Sequence, residues 1–521
     1  MKKSFLKKTM AWLLVGVTAM SLMTGCGSKN TEESNTPVQE TPAEDSADKE
    51  EALEPYTIDM YMSTWGGSTD DVLEVQEAMS AITKEKINAD VVLHPIDIGS
   101  WGTQIPLLYS SQEKIDFIVT SANMEPNYSS MVSSGQLLPL GDLVNQYGAE
   151  IKECLGEFIN GAMVNGDIYA IPVNKEKASS YGGFAFNKAM VEELGLTEQV
   201  EAIKSYKDLT DILEIVHKEK PEVTAMSTGT GTSPNGYYRD QYVDYYGTNI
   251  GGVLPIDSND FQLVNLFEYE PYVEAVTWTH EMYEKGYINE DVTTENDESV
   301  ANGTAFCWPE KLKAGSAEEL TASKGYEVMV VELNAPYAQA DQAQGVMAGI
   351  GSTSKDPERA MMFMNLLYSD KDLINALIYG IEGKHYEITS TATDSLGNEI
   401  TYIKREDAST SGWINQGWAY GNQFLDYMIE GKNVESYANL IKTSEQMTIS
   451  STYGFAFDQS PVATEISACN AIYEKYKLVN SGALDPAEVL PKMISEMKDA
   501  GFDKVMAEKQ RQLDEWRASN Q

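Results

Sequence analysis

Between residues 56 and 119 the chain alternates between two hydrophobic periods, and that alternation restricts the available folds more than any single motif does. Tyr56-Thr57-Ile58-Asp59-Met60-Tyr61-Met62 alternates with period two, as a strand with one buried face does. From Asp70 to Lys86 the apolar residues Val72, Val75, Met79 and Ile82 recur at helical spacing. Ala89 to Leu93 predicts a second strand, Ile105 to Ser110 a helix, and Ile115-Asp116-Phe117-Ile118-Val119 a third strand. Strand, helix, strand, helix, strand is the pattern of an α/β fold with a parallel sheet covered on both faces by helices. In such a sheet a ligand lies beyond the carboxyl ends of the strands. Two loops become candidates on that ground: Trp65-Gly66-Gly67 after the first strand and Thr120-Ser121-Ala122-Asn123 after the third.

A chain of 521 residues is longer than one core usually serves, so two lobes are expected. The first residues belong to neither. Lys2, Lys3, Lys7 and Lys8 precede a short apolar run from Met10 to Met23, and Thr24-Gly25 supply small residues before Cys26. This reads as an export signal, too short to span a bilayer comfortably. It resembles a bacterial lipoprotein signal over residues 1–25, in which the cysteine, here Cys26, becomes the lipidated amino terminus; Met23 stands where leucine is usual. An ordinary secretory signal with an incidental cysteine is the alternative. Residues 26–55, rich in Ser, Thr, Pro and acid, have little to bury and read as a disordered acidic tether. Together they imply a body on the extracytoplasmic face of a cell membrane, touching the membrane through its anchor.

The formal charge of −42 argues against nucleic acid and other polyanions as partners, because a phosphate-binding surface needs clustered Lys and Arg. It suits a soluble monomer. Cys154, Cys307 and Cys469 are widely spaced and His94, His217, His280 and His385 are scattered, so no zinc pattern exists. Buried thiols are expected, with one disulfide among the three left open. Asp257-Ser258-Asn259-Asp260 lacks the glycine and distal acid of a calcium loop. No metal and no cofactor are expected. A glycoside hydrolase needs two opposed carboxylates, and among 80 acidic residues some pair always qualifies by distance alone. No nucleophile elbow, HExxH or phosphate loop accompanies them, so no catalytic residue is assigned and a binding protein is favoured over an enzyme.

Further along come Gly135-Gln136-Leu137-Leu138-Pro139-Leu140, Gly166-Asp167-Ile168-Tyr169-Ala170-Ile171-Pro172, Ala185-Phe186-Asn187-Lys188, Asn302 to Pro309 and Gly349 to Ala360. In this order they resemble the extracellular solute-binding proteins of ABC importers, in the sugar-binding family that includes maltose-binding protein. Gly454-Phe455-Ala456-Phe457-Asp458, Tyr379 to Tyr386 and Glu508 to Trp516 resemble a lipoprotein subgroup whose C-terminal segment is a domain of unknown function. The resemblance implies a two-lobed α/β periplasmic-binding-protein fold (type II), each lobe a mixed, mainly parallel sheet flanked by helices, joined by a hinge with the ligand cleft between the lobes. Residues 56–172 and about 335–390 would form the first lobe, and 173–334 and about 391–521 the second, including the C-terminal helical segment.

It also implies a carbohydrate ligand, an oligosaccharide, since stacked aromatics and polar edges suit sugar faces and hydroxyls, and membrane permease subunits as partners. Trp308, placed after a strand at Thr304 to Cys307, falls where the family has an aromatic platform, with Glu310 two residues on. Trp65 and Asn123 would face it. Tyr181, Phe455, Phe457 and Asp458 occupy stretches that line the second lobe in the family. Trp413 and Trp418 read as a cleft loop, a hinge clamp or core. Amino-acid or peptide capture, or a sensing role, stays open as the alternative. Arginine that would hold a ligand carboxylate is scarce, Arg239, Arg359 and Arg405 lying in no evident cleft loop.

Overall fold

The computed structural model describes residues 53–164, 166–178, 181–229, 243–248, 250–256, 258–292, 298–405, 411–413 and 415–520. The export signal, Cys26 and all but the end of the expected tether lie outside these residues, as do Arg239 and Asp257.

Nine strands build two sheets: β1 (Tyr56–Thr64), β2 (Ala89–Asp97), β3 (Phe117–Thr120), β4 (Ala170–Pro172), β5 (Tyr181–Asn187), β6 (Thr224–Met226), β7 (Ala305–Leu312), β8 (Val328–Glu332) and β9 (Met347–Gly349). The first runs β2-β1-β3-β9-β4. β1 is parallel to β2 and β3, and β9 lies antiparallel between β3 and β4. The period-two pattern of β1 buries Ile58, Met60 and Met62 completely. Helix Val72–Ile87 turns Val75, Met79 and Thr83 inward at a spacing of four and ends at Asn88, which takes the left-handed backbone that asparagine tolerates. Helix Pro357–Ser369 starts on an Asp356 cap with proline at its first turn and returns Phe363 to the same core, edge-on to Phe117 at 6.1 Å.

The second sheet runs β8-β5-β7-β6, with β7 parallel to β6 and antiparallel to β5. Leu209, Leu213 and Val216 of helix Leu209–Glu219 fill its core. Helix Glu270–Glu284 has two apolar faces. Trp278 and Met282 enter the sheet core, while Tyr272 and Val276 enter another formed with Phe267, Phe455, Met493 and Leu513. That second core seats the C-terminal helices Ala463–Tyr476, Pro486–Asp499 and Phe502–Asn520 against residues 243–276.

The chain leaves the first core after Ile171 and re-enters it at Ala343, and Tyr420 is its last buried member there. These crossings are hydrogen-bonded to one another. Asn174 N–H donates to Gly421 O at 2.9 Å and Gln423 N–H to Asn174 O at 2.9 Å. Tyr337–Ala338 pairs in parallel with Thr448–Ile449. Crossing strands that share a ladder can bend together with little loss of bonding, as a hinge requires.

One expected boundary moves. Trp413, Ala419 and Tyr420, placed beyond the first lobe by the limit near residue 390, are buried in the first core. The sequence there shows no long element to mark their destination, and their partners are Leu377 O for the Trp413 indole and Ser63 O for the Tyr420 hydroxyl. Cys154, Cys307 and Cys469 are all thiols.

Candidate cleft between the two bodies

The register Met60↔Phe117 and Tyr61↔Ile118 brings the carboxyl ends of β1 and β3 side by side, with Trp65 just past one and Asn123 just past the other. Trp65 is 43% exposed, unusual for so large a ring. It is not loose. Trp418 meets it edge to face with centroids 5.5 Å apart and an interplanar angle of 64°, and Trp418 itself packs on the first core. The Trp65 indole donates to Ser63 Oγ at 3.3 Å, and Gln416 Nε2 donates to Trp65 O at 3.5 Å.

The loop that follows is fixed to the same segment. Asp71 N–H donates to Gly412 O at 2.9 Å. The Asp71 carboxylate takes Lys384 Nζ at 2.9 Å and His385 Nε2 at 3.0 Å. Because His385 Nδ1 accepts the Ile381 N–H at 2.9 Å, the ring proton sits on Nε2 and points at Asp71. The Lys384 ammonium, then the His385 N–H, hold the Asp71 carboxyl below its usual value.

Opposite Asn123 stands the loop formed by residues 245–248 and 250–252 of the second body. Gly247 has φ +78°, and a Cβ there would lie 3.2 Å from Gln459 Nε2 and 3.8 Å from Asn123 Oδ1. Glycine therefore lets this turn both adopt its backbone and approach the first body. The loop is held from behind by Lys509, which is wholly buried. Its ammonium donates to the carbonyls of Tyr245 at 3.0 Å, Thr248 at 2.7 Å, Ile250 at 3.3 Å and Gly252 at 2.8 Å. Burial pulls Lys509 down to about 7. Just before the loop, Asp244 accepts Ser450 Oγ at 2.6 Å and the Ala340 N–H at 3.1 Å, joining this loop to two crossings. Burial pushes Asp244 up to about 6.

A crevice of about 830 Å³ lies between helix Tyr128–Ser133 and residues 163–169 on one side and residues 454–461 with helix Phe502–Asn520 on the other. It is within the size range of small-molecule sites. A second hollow, about 570 Å³, sits on the crossings, with Phe158, Phe424, Ile441 and Tyr453 in its wall. Being on the crossings, it is not at the strand ends.

The expected site residues separate sharply. Trp65, Asn123 and Trp418 stand at the strand-end face. Trp308 does not: β7 continues to Leu312, so Trp308 is mid-strand, opposite Ala185, 4% exposed and edge-on to Tyr326. Pro309 suggested an ending, but β6 pairs only as far as Cys307, and proline is tolerated where no neighbour needs its N–H. Glu310 is half-buried and spends Oε2 on the Trp308 indole at 3.1 Å. Trp413 is 1% exposed in the first core. Phe455 and Phe457 are buried in the C-terminal core, Phe455 also reaching the crevice wall, and Asp458 lines the crevice, whereas Phe457 does not. The backbone of Tyr181 starts β5 beside the crossing; its side chain is outside the description.

Sequence reading passed over Gly247, Gln459, Lys509, Gln512 and Tyr169. For the last helix a signal existed. Val505, Lys509 and Leu513 form one row at a spacing of four and Glu508, Gln512 and Trp516 the next, so a lysine inside an apolar row was the anomaly to notice.

Among the described residues no cluster of His, Cys, Asp and Glu is arranged to hold a metal, and no helix is long and apolar enough to cross a membrane. A model of a domain of unknown function matches residues 451–518. A carbohydrate ABC transporter substrate-binding protein of Streptococcus pneumoniae serotype 4 (strain ATCC BAA-334 / TIGR4) is 26% identical, covering 99% of this chain and 98% of the relative. A crystal structure of the N-glycan transport solute binding protein NgtS of S. pneumoniae, 26% identical, covers 90% of this chain and 100% of its own with a TM-score of 0.75. NgtS complexes with Man1GlcNAc and Man5GlcNAc, each 25% identical, give TM-scores of 0.64 and 0.62, covering 88% and 90% of this chain and 99% and 100% of theirs. The model of bacterial extracellular solute-binding proteins matches residues 79–380, more than half the sequence, and the chain belongs to that family.

Proposed function

We propose that this protein is the substrate-binding component of an ABC importer, that it captures a neutral oligosaccharide between its two bodies, and that it delivers the sugar to a membrane permease. The observation that carries the reading is the Trp65–Trp418 pair, an exposed ring backed by a half-buried one, which follows a strand adjacent to the one that leads to Asn123, the residue that a loop of the second body approaches. An aromatic face supplies area for the CH side of a sugar ring, and amides supply direction for its hydroxyls.

Among the described residues the arginines are engaged elsewhere, Arg517 lying over the Phe261 ring at 3.6 Å. Arg359 donates to the carbonyls of Glu54, Ile87 and Asn88, Arg405 lies 5.5 Å from the Tyr379 ring centre, and Arg511 pairs with Glu508 and Glu515. Agreement with the two glycan complexes of NgtS is lower than with its other structure at nearly the same identity and coverage. A change in how two rigid bodies are arranged produces such a difference, which supports closure on the ligand. Binding alone drives this step, and no bond is made or broken. Cys26 would carry the lipid and the acidic segment would act as leash, keeping a monomeric receptor at the outer face of the membrane beside its permease.

The test is a thermal-shift panel of Man1GlcNAc, Man5GlcNAc, amino acids and short peptides on the mature protein. A ligand at about 100 times its Kd adds roughly 2.7 kcal/mol of stability. Oligosaccharide is expected to raise the melting temperature; a rise with peptide and none with any sugar contradicts the assignment.

A further inference from the structure

The crevice beside the cleft lies between the first body and the C-terminal segment of unknown function. Its first-body wall includes Ser129, Ser133 and Tyr169, and its other wall includes Asp458, Gln512 and Trp516. Three features make it more than a gap left by packing. Both Tyr169 and Trp516 are half-buried and line the crevice, Tyr169 packed on the first core and Trp516 on the C-terminal one. Trp516 rests edge-on against the buried Phe455 at 5.9 Å. Gln512 is locked, its Oε1 accepting the Asp458 N–H and its Nε2 donating to Asp458 O, both at 2.9 Å. A rigid wall lowers the ordering cost of binding.

The one cation in the crevice is compensated, and with Asp458 and Glu515 against Arg511 the lining is net acidic. Arg511 is paired with Glu508 at 2.6 Å and with Glu515 at 2.5 Å, leaving a mixed aromatic and polar lining rather than an anion site. Its position ties it to the cleft. Asp458 lines the crevice, and the next residue, Gln459, is the one whose amide lies beside Gly247 where that loop approaches Asn123.

We infer that the C-terminal segment reads oligosaccharide length: the crevice takes the far sugars of a neutral glycan whose near end lies against Trp65 and Trp418. The inference rests on the carbohydrate reading above. It assigns to residues 454–519 a direct ligand contact in addition to their structural role behind the second body. A short glycan reaches the strand-end face alone, whereas a longer one gains the Tyr169 and Trp516 surfaces as well.

Calorimetry with Man1GlcNAc and Man5GlcNAc on the wild type, Trp516→Ala and Ser133→Trp tests this. Trp516→Ala removes ring surface; Ser133→Trp fills the crevice from an exposed position, so it stays informative if the first variant folds poorly. The wild type is expected to bind Man5GlcNAc at least about tenfold more tightly than Man1GlcNAc. Each folded variant is expected to lose that advantage while keeping its affinity for Man1GlcNAc. Equal wild-type affinities, or variants that weaken both sugars alike or neither, overturn the inference and leave the carbohydrate reading standing. A folded wild type that binds neither sugar while a peptide binds removes the carbohydrate reading and this inference with it.

Discussion

On the first body, the exposed ring of Trp65 stands just past a strand end against the half-buried Trp418, which is backed by a sheet core, with bonds to Ser63, Gln416 and Gly412 sharing the task. On the second, the loop that meets Asn123 is short, has a positive-φ glycine at its tip, and converges through four carbonyls on the single ammonium of Lys509. One wall is held by many weak restraints, whereas on the other four carbonyls depend on one ammonium, with Asp244 anchoring the residue before the loop. Loss of any one contact should therefore be tolerated on the first wall and not on the second, because a buried carbonyl without a donor retains its desolvation cost.

Lys509→Met should have the largest effect, lowering stability by about 3 kcal/mol or more as buried carbonyls lose their donor. Urea unfolding measures it, and a loss no larger than that of a surface substitution breaks the contrast. Trp308→Ala should cost roughly 3 kcal/mol through its cavity and leave any sugar affinity of the folded fraction nearly intact, as expected for a core ring. Unchanged stability with lost binding would return Trp308 to the site.

The titrations of the second wall come next. The folded value of Asp244, about 6, lies above its ordinary 3.8, so its contribution to stability is fully present below pH 3.8 and is lost as pH rises through 6. Asp244→Asn should remove that decline, a change on the order of 2 kcal/mol between pH 4 and 6 relative to the wild type. Lys509 has the opposite sense: with a folded value near 7 against 10.5, its contribution is present above pH 10.5 and is lost as pH falls through 7. Denaturation midpoints across pH 4 to 9 separate the two slopes; parallel curves for wild type and variant deny Asp244 its part. The smallest change in stability is expected for Trp418→Ala, whose ring is backed by other first-wall contacts. There the loss should appear as about tenfold weaker sugar binding with the melting temperature little changed.

The same contrast explains what could be read from sequence. Local periodicity was enough for residues 56–119, because strand alternation and helical spacing are set by neighbours in the chain, and strand ends then pointed to Trp65 and Asn123. Trp308 failed because the end of its strand is decided elsewhere: β5 accompanies β7 to Leu312 after β6 has stopped at Met226. Trp413 and Trp418 share one short segment, yet one indole donates to Leu377 O in the core while the other ring faces Trp65. Their different positions depend on partners tens to hundreds of residues away. Lys509 was visible as an anomaly in an apolar row, but its role needed the loop of residues 245–248 and 250–252 to be folded around it.

Closure of the two bodies on a neutral glycan is the central claim, and small-angle scattering of the mature protein with and without saturating Man5GlcNAc tests it most directly, with calorimetry on the same samples to record binding. The account predicts a smaller radius of gyration in the bound state. Saturated binding with an unchanged radius would contradict it.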